Sequence, residues 1–550
     1  MAEHLSTAEA IVRTLAINGI GQIFCLPGVQ NDPLFDALFD AGDRIRVLHT
    51  RHEQGAAYMA LGAALATGRP AAYCVVPGPG FLNTTAALAT AYATNAPVLA
   101  LLGQIPSGYI GKGVGLLHEI PDQLGMLRAL TKWAQRVRAP VEAPGLVDEA
   151  FRQLLNGRPR PVGLEVPMDV WARRAAVALP DGPATRAGLP LDDEAIEAAA
   201  KLLGGALRPL IMVGGGAQHA SAEVRAVAEL LQAPVCALRM GHGVLDARHA
   251  LAVNGPVGYR LWAGADVVLA VGTRLQPQQM NWGVDDELEI VRVDLDPDEP
   301  ARLHPPAVGI VGDAAPVLAR LADRLARHNR RRDVRADEVA ALRARFWSDA
   351  ARLQPQLAYL EAIRAELPED GVLVDDLTQV GYVARFAYPV YRPRSFVTPG
   401  YQGTLGWGLA AALGVKAARP DVPVVSIAGD GGFMFNVQEL ATAIRHQLAV
   451  VAIVFNDGAY GNVRRTQKEQ MGNRLIASDL VNPDFVRLAE SFGVAGFRAT
   501  SPDQLRTTLR AALKLDAPAL IEVPCGEMPS PWEFVLMPRA RGHGPTRAVF

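Results

Sequence analysis

The segment that most constrains this chain is a pair of apolar runs, VPVVSIA before Gly429 and VVAIVF before Asn456, separated by a stretch of helical period. It reads as strand, helix, strand. Two strands joined in this way run parallel in one sheet and deliver their carboxyl ends to the same edge, where open α/β sheets bind ligands. The first run ends in Gly429-Asp430-Gly431-Gly432 and the second in Asn456-Asp457, so two carboxylates arrive at that edge. With amide and backbone oxygens they suit a hard divalent cation whose shell is completed by phosphate oxygens. Gly431 and Gly432 allow close backbone approach, and the next helix turns its amide-rich start toward the phosphates. Taken alone, the Gly-Asp-Gly would be a turn and Asp457 a helix cap; the spacing between them favours the cation site.

At 550 residues the chain exceeds the ~250 to 300 residues at which single cores stop growing, so about three domains are expected. The segment RRAAVALPDGPATRAGLPLDD reads as a linker, after which PLIMVGGGA, ADVVLAVGTRL and IVRVDLDP alternate with helical stretches. RLARHNRRRDVRADE then forms a charged connection, a solvated face or a crossing helix with interspersed acids. The expected limits are 1–175, 190–328 and 350–535, with a tail at 536–550, each domain a doubly wound parallel α/β sheet. A formal charge of −2 gives no footprint for nucleic acid. Cys25, Cys74, Cys236 and Cys525 are too scattered for a zinc site or disulfide framework, which suits a reducing cytoplasm. The N-terminus reads as a Ser or Thr cap before an amphipathic helix and lacks signal-peptide features, and no run reaches the ~18 apolar residues of a membrane span.

The segment from Gly429 to Tyr460 resembles the cofactor motif of thiamine diphosphate (ThDP) enzymes, in which GDG is followed, about two dozen residues on, by an Asn-Asn pair. Asp457 stands where that family usually has its second Asn. The resemblance implies Mg²⁺ ligands at Asp430, the Asp457 side chain and the Ala459 carbonyl, with Gly429, Gly431, Gly432 and Tyr460 around the diphosphate. A second match, VLHTRHEQGAAYMALGAALATGRP, places Glu53 at a helix start, where an acid is ordinarily dipole complementation. By resemblance, Glu53 is the catalytic glutamate that hydrogen-bonds the aminopyrimidine ring and drives formation of its imino tautomer, in a dry pocket. GYQGTLGWGLAAALG supplies Leu405 to prop the cofactor and the Gly403 carbonyl to accept from its amino group; VLVDDLTQVGY brings Thr378 and Gln379 to the diphosphate. The family pattern also implies pyrimidine-binding, central and diphosphate-binding domains in that order. Its active centres lie between subunits, with a homodimer as the minimum unit and a tetramer common.

Within that superfamily the chain is similar to the acetolactate synthase, benzaldehyde lyase and benzoylformate decarboxylase group, through RHEQGAAYMALGAALATGRP, NVQELATAIR and GQIP. The reaction implied is decarboxylation of a 2-oxo acid and addition of the resulting carbanion to a second one. The alternatives are a decarboxylase or lyase using another 2-oxo acid, a 2-hydroxy ketone or an acyl-CoA, and a ThDP-binding paralogue without turnover. Gln30 falls where benzaldehyde lyase has a pocket histidine, and His118 where the group has a pocket glutamine; His118 offers acid/base chemistry that glutamine does not. Two departures from acetolactate synthase stand out: Thr466 in place of a tryptophan, and Gln276-Pro277-Gln278 in place of Asp-Asp-Arg after Arg274. Glycines at Gly214 and Gly241 resemble a flavin-binding central domain, but a glycine loop after a strand does not require FAD. The sequence leaves the need for a regulatory subunit open.

Overall fold

A computed structural model describes residues 2–542. Three six-stranded sheets, each wholly parallel, are flanked by helices. Their central strands, such as Val98–Gln104, are buried at every position, which is why they read as unbroken apolar runs rather than alternating ones. In the N-terminal sheet, strands Gln22–Cys25, Arg46–His49, Ala71–Val75, Val98–Gln104, Trp133–Arg136 and Val162–Pro167 take the spatial order second, first, third, fourth, sixth, fifth. The C-terminal sheet repeats this order with Val372–Asp375, Phe396–Val397, Val424–Gly429, Val450–Asn456, Ala495–Arg498 and Ala519–Pro524. The central sheet, with strands Leu210–Val213, Val235–Ala237, Ala252–Val253, Val267–Val271, Glu289–Asp294 and Val308–Val311, differs, running third, second, first, fourth, fifth, sixth, the order of dinucleotide-binding folds. The doubly wound architecture expected from the sequence is thus present three times.

The two outer domains meet through helices Glu53–Thr67 and Gly408–Ala418. Both are apolar nearly all round, as helices buried on every side must be. They approach closely because each offers a glycine: a Cβ on Gly62 would lie 2.1 Å from the Ala411 carbonyl oxygen, and one on Gly414 1.9 Å from that of Met59.

The structure adds features that local sequence did not show. Glu3–Ser6 pairs antiparallel with Arg174–Val177, so the start of the expected linker is a strand pinned to the N-terminus. Ser6 and Glu9 close a capping box on the first helix. In the charged connection, Arg332 donates to the carbonyls of Leu203, Gly204 and Ala206, and Arg335 to that of Pro209, so the basic run is fastened to the central domain. In the expected tail, Ala540 donates its amide to Trp282 and Arg541 pairs with Asp285, so this part docks on the central domain; 543–550 lie outside the described residues. No helix among the described residues is long and apolar enough to cross a membrane.

Candidate active site

Strand Val424–Gly429 passes directly into Asp430, which opens a single helical turn, and its parallel neighbour Val450–Asn456 ends alongside, with Gly429 in register with Phe455. Asp430 is 1 % exposed, and its Oδ2 accepts from the Gly458 amide at 3.0 Å and Asn482 Nδ2 at 2.5 Å. Asp457 accepts from Gln379 Nε2 at 2.6 Å through Oδ2 and from the Ala459 amide at 3.3 Å through Oδ1. Burial, and after it the facing Asp430 carboxylate, pushes Asp457 up to about 7. Two desolvated carboxylates in contact call for a shared proton or an intervening cation. Among the described residues no group of three or more His, Cys, Asp or Glu is placed to hold a metal ion, so an ion here would complete its shell with amide, carbonyl or ligand oxygens. That donor set fits Mg²⁺ and not a structural zinc.

The neighbouring turn is built for close approach. Gly403 and Gly406 have φ of +57° and +78°, a left-handed conformation that favours glycine. A Cβ on Gly406 would also strike Phe435. Leu405 is half-buried between them, and Thr404 Oγ1 lies 3.2 Å from Tyr58 Oη, tying the turn to the N-terminal domain. Asp376, pushed up by burial to about 6, accepts from the amides of Leu377 at 2.7 Å and Gly408 at 3.1 Å, and so fixes the start of helix Gly408–Ala418. Thr378 and Gln379 follow on the same strand end, with Thr378 at the N-cap position of helix Gln379–Ala387 but making no side-chain cap bond. Gly431 packs on the Tyr460 ring, where a Cβ would lie 2.7 Å from Cε1, whereas at Gly432 the nearest atom would be 3.5 Å away, leaving room.

On the N-terminal sheet, Glu53 is the first residue of its helix, with His52 as the cap. Its Oε2 accepts from Asn83 Nδ2 at 3.0 Å, and its side chain is 14 % exposed. The backbone just before it is held from the other domain: the buried Glu439 accepts from the amides of Arg51 at 3.1 Å and His52 at 3.0 Å and from Thr442 Oγ1 at 2.5 Å.

Gln30 and His118 come together beside this helix. Gln30 is 2 % exposed and donates to the Leu117 carbonyl at 3.4 Å, while its Oε1 has no partner among the described residues. His118 adopts a φ of +67°, and its Nδ1 is buried without a partner among them. The loop carrying it lies hard against the Gly78 turn, where a Cβ would fall 2.4 Å from the His118 carbonyl oxygen. Two residues on, the corresponding position at Gly80 is 3.7 Å from Glu53 Oε1. The structure therefore gathers Glu53, Gln30 and His118 at one sheet edge, and Thr378, Gln379, Gly403, Leu405, Asp430, Asp457, Ala459 and Tyr460 at another.

Residues 5–126 match the thiamine pyrophosphate enzyme N-terminal TPP binding domain, residues 196–321 its central domain, and residues 376–523 its C-terminal TPP binding domain. The chain belongs to the thiamine pyrophosphate enzyme family. It is 36 % identical over 530 residues to a probable 2-ketoarginine decarboxylase of Pseudomonas aeruginosa, covering 94 % of each chain. It is 35 % identical over 549 residues to a probable acetolactate synthase large subunit of Methanocaldococcus jannaschii, covering 94 % of this chain and 91 % of the relative. To the acetolactate synthase isozyme 3 large subunit of Escherichia coli it is 32 % identical over 537 residues, covering 93 % of each. The chain is thus a ThDP-dependent enzyme of the acetolactate synthase and decarboxylase group.

In this thiamine pyrophosphate enzyme the strand ends of the central sheet open on a cavity of about 810 Å³, lined by Gly214–Gly216, Gly272 and the arginines Arg158, Arg239, Arg274 and Arg394. Burial, together with Arg385 and Arg274, holds Arg239 below its usual value, whereas Arg158 is paired with Asp294, Asp296 and Glu299. Arg274 lies over the Tyr401 ring at 4.6 Å, and Gln276, Pro277 and Gln278 form part of the wall. Thr466 donates back to the Asn462 carbonyl at 3.1 Å within helix Gly461–Gln470.

Sequence reasoning missed three residues that the structure places at the two sheet edges. Asn482 donates to both Asp430 and Asn456, Asn83 to Glu53, and Glu439 fixes the backbone ahead of Glu53. Asn482 lies in an irregular segment with no characteristic spacing. Glu439 offered only its place within NVQELATAIR, which reads as an ordinary amphipathic stretch.

Proposed function

We propose that the chain uses thiamine diphosphate and Mg²⁺ to break the carbon–carbon bond beside the carbonyl of a 2-oxo acid, and that the released donor adds to a second 2-oxo acid as in acetolactate synthases. The observation that carries this reading is the contact between the Asp430 and Asp457 carboxylates at the edge of a parallel sheet, which only a proton or a cation relieves. Asp430, the Asp457 side chain and the Ala459 carbonyl would hold the Mg²⁺; Gly429, Gly431, Gly432, Thr378, Tyr460 and the backbone amide of Gln379, whose side chain is taken up by Asp457, Gly526 and Met528, would receive the diphosphate. Gly403 and Leu405 position the aminopyrimidine. Bound thiamine diphosphate supplies the electron sink for the bond that breaks. Glu53 would hold a proton at its carboxyl toward the aminopyrimidine, with Asn83 fixing Oε2. Gln30, through its unpartnered Oε1 and its amide, orients the substrate, and His118 Nδ1 holds or moves a proton at the reacting carbon.

The second reading is a decarboxylase that protonates its product. It is favoured by His118 and by the absence of the Asp-Asp-Arg set at residues 276–278, and the name of the Pseudomonas relative points the same way. We also propose domain limits of 1–175, 190–328 and 350–535, a cytoplasmic location, and a homodimer or tetramer with active centres between subunits. Leu82, Met434 and Phe435, exposed beside Asn83 and the Asp430 turn, support the assembly. The arginine-lined central cavity supports an anionic nucleotide such as FAD; a yellow protein absorbing near ~450 nm after incubation with FAD and desalting would confirm that cofactor, and a colourless one would remove it.

The deciding experiment is mass-spectrometric product analysis with ThDP, Mg²⁺ and pyruvate, alone and with 2-oxobutyrate, and separately with benzoylformate or 2-ketoarginine. Acetolactate or acetohydroxybutyrate establishes the synthase; carbon dioxide with an aldehyde establishes the decarboxylase. Cofactor-loaded protein inert toward all of these acids overturns both. Glu53→Gln that retains cofactor but loses turnover separates catalysis from mere binding.

A further inference from the structure

A second cavity, of about 240 Å³, lies between the central and C-terminal domains, away from both sheet edges described above. Helix Ala336–Ala350 forms one wall and the end of helix Gln379–Ala387 another, with Phe346, Phe386 and Val390 giving it a mainly apolar surface.

Arg343 and His242 interrupt that surface, beside Asn254 and Tyr388, whose hydroxyl has no partner among the described residues. Arg343 donates to the Ala252 carbonyl at 2.9 Å through Nε and to the His249 carbonyl at 2.6 Å through a terminal nitrogen, and among the described residues it has no carboxylate partner. Burial holds it below its usual value with no acid to oppose the effect. A half-buried guanidinium surrounded only by carbonyls keeps an uncompensated charge and a free donor edge. His242 is 9 % exposed, and its Nε2 has no partner among the described residues. Burial holds the ring down at about 4, so it is neutral, and the Arg385 backbone engages its other nitrogen, which leaves Nε2 as an acceptor.

We propose that this cavity binds a small hydrophobic monocarboxylate bearing a hydroxyl or amino donor. The carboxylate pairs with Arg343, the apolar body packs on Phe346 and Phe386, and the donor bonds His242 Nε2. The size is right: an apolar cavity of about 150 Å³ accepts benzene, and this one has room for a ring with two polar groups. The inference is independent of the reaction proposed above, since none of these residues belongs to that site.

The probe is 4-hydroxybenzoate, compared with benzoate and benzyl alcohol, titrated into the full-length protein and followed by tryptophan fluorescence and calorimetry. Trp347, on the cavity wall and half exposed, is the reporter. The expected result is saturable binding of 4-hydroxybenzoate, several-fold weaker with benzoate and at least ~10-fold weaker with benzyl alcohol, as loss of a charge-assisted contact requires. The fluorescence response should vanish in Trp347→Phe. Arg343→Met should reduce 4-hydroxybenzoate to the level of benzyl alcohol. Because Arg343 also ties down the loop at 249–252, Val390→Phe, which fills the cavity and leaves Arg343 in place, provides a second variant expected to abolish binding. No saturable binding to the wild type, as when another part of the protein or a second copy covers the cavity, overturns the proposal. So does a response that persists in Trp347→Phe, or one that Val390→Phe leaves unchanged.

Discussion

Gln379 grips Asp457 with one end of its amide, Nε2 to Oδ2 at 2.6 Å, and the Met528 backbone with the other, Oε1 accepting from the amide at 2.7 Å. One side chain therefore joins the carboxylate that ends strand Val450–Asn456 to the segment leading into the C-terminal tail. Partners that orient a metal ligand commonly govern affinity as strongly as the ligand's own geometry. Gln379→Ala should weaken Mg²⁺ binding about 10-fold, as read by calorimetric titration. It should also free the segment around Met528 to limited proteolysis, and unchanged affinity together with an unchanged digest would show that the grip is incidental.

The carboxylate pair gives a pH dependence whose sign follows from burial. In the cation-free protein Asp457 is raised to about 7, well above its value in an unfolded chain. The folded state therefore binds this proton more tightly, so the contribution to stability is complete below about pH 4 and is lost as pH rises through about 7. Asp457→Asn removes the repulsion. With chelator present the variant should be more stable than wild type at pH 8, by roughly 1–2 kcal/mol, and little different at about pH 4. Saturating Mg²⁺ should erase most of the advantage. Melting curves at the two pH values, with and without the cation, test this, and an advantage of equal size at both would mean the carboxylates do not repel.

Gly62 and Gly414 make a prediction opposed to helix propensity. Alanine is favoured over glycine inside a helix by about 1 kcal/mol. Here either Cβ would fall within 2.1 Å of a backbone oxygen on the facing helix, and backbone cannot step aside without separating the domains. Gly62→Ala and Gly414→Ala should each lower the melting temperature by several degrees, with overpacking costing about 1–3 kcal/mol or more. A stabilised variant would mean the two helices are further apart than described.

What the sequence disclosed and what it concealed follow from the range of the interactions. Strands such as Val98–Gln104 and Val450–Asn456 are buried on both faces, so they announced themselves as apolar runs, and the helix between two of them fixed the parallel direction that carries Asp430 and Asp457 to one edge. Pairings between distant segments left no such trace. Arg174–Val177 looks like linker because its partner, Glu3–Ser6, lies at the far end of the domain. Asn482 and Asn83 are ordinary loop and helix-end residues until the fold sets them against Asp430 and Glu53. The exchange of Asp-Asp-Arg for Gln276-Pro277-Gln278 was visible as letters, but its position in the wall of the central cavity was not.

Glu439 ties the two outer domains into one mechanical unit. Its carboxylate is wholly buried, and every partner it has, the amides of Arg51 and His52 and the Thr442 hydroxyl, is a donor. Burial raises its proton affinity, and the three donors oppose that rise. Glu439→Gln would have to turn an NH₂ toward one of those donors, and Glu439→Ala would leave all three unmet. The glutamine variant should lose roughly 1–2 kcal/mol and the alanine variant about 3 kcal/mol or more, seen as graded falls in melting temperature. Because two of the amides immediately precede Glu53, both variants should also lower kcat more than they raise KM, the pattern of a displaced catalytic group rather than of lost substrate contacts. Variants that melt lower yet keep wild-type kcat would show that Glu439 joins the domains without setting the position of Glu53.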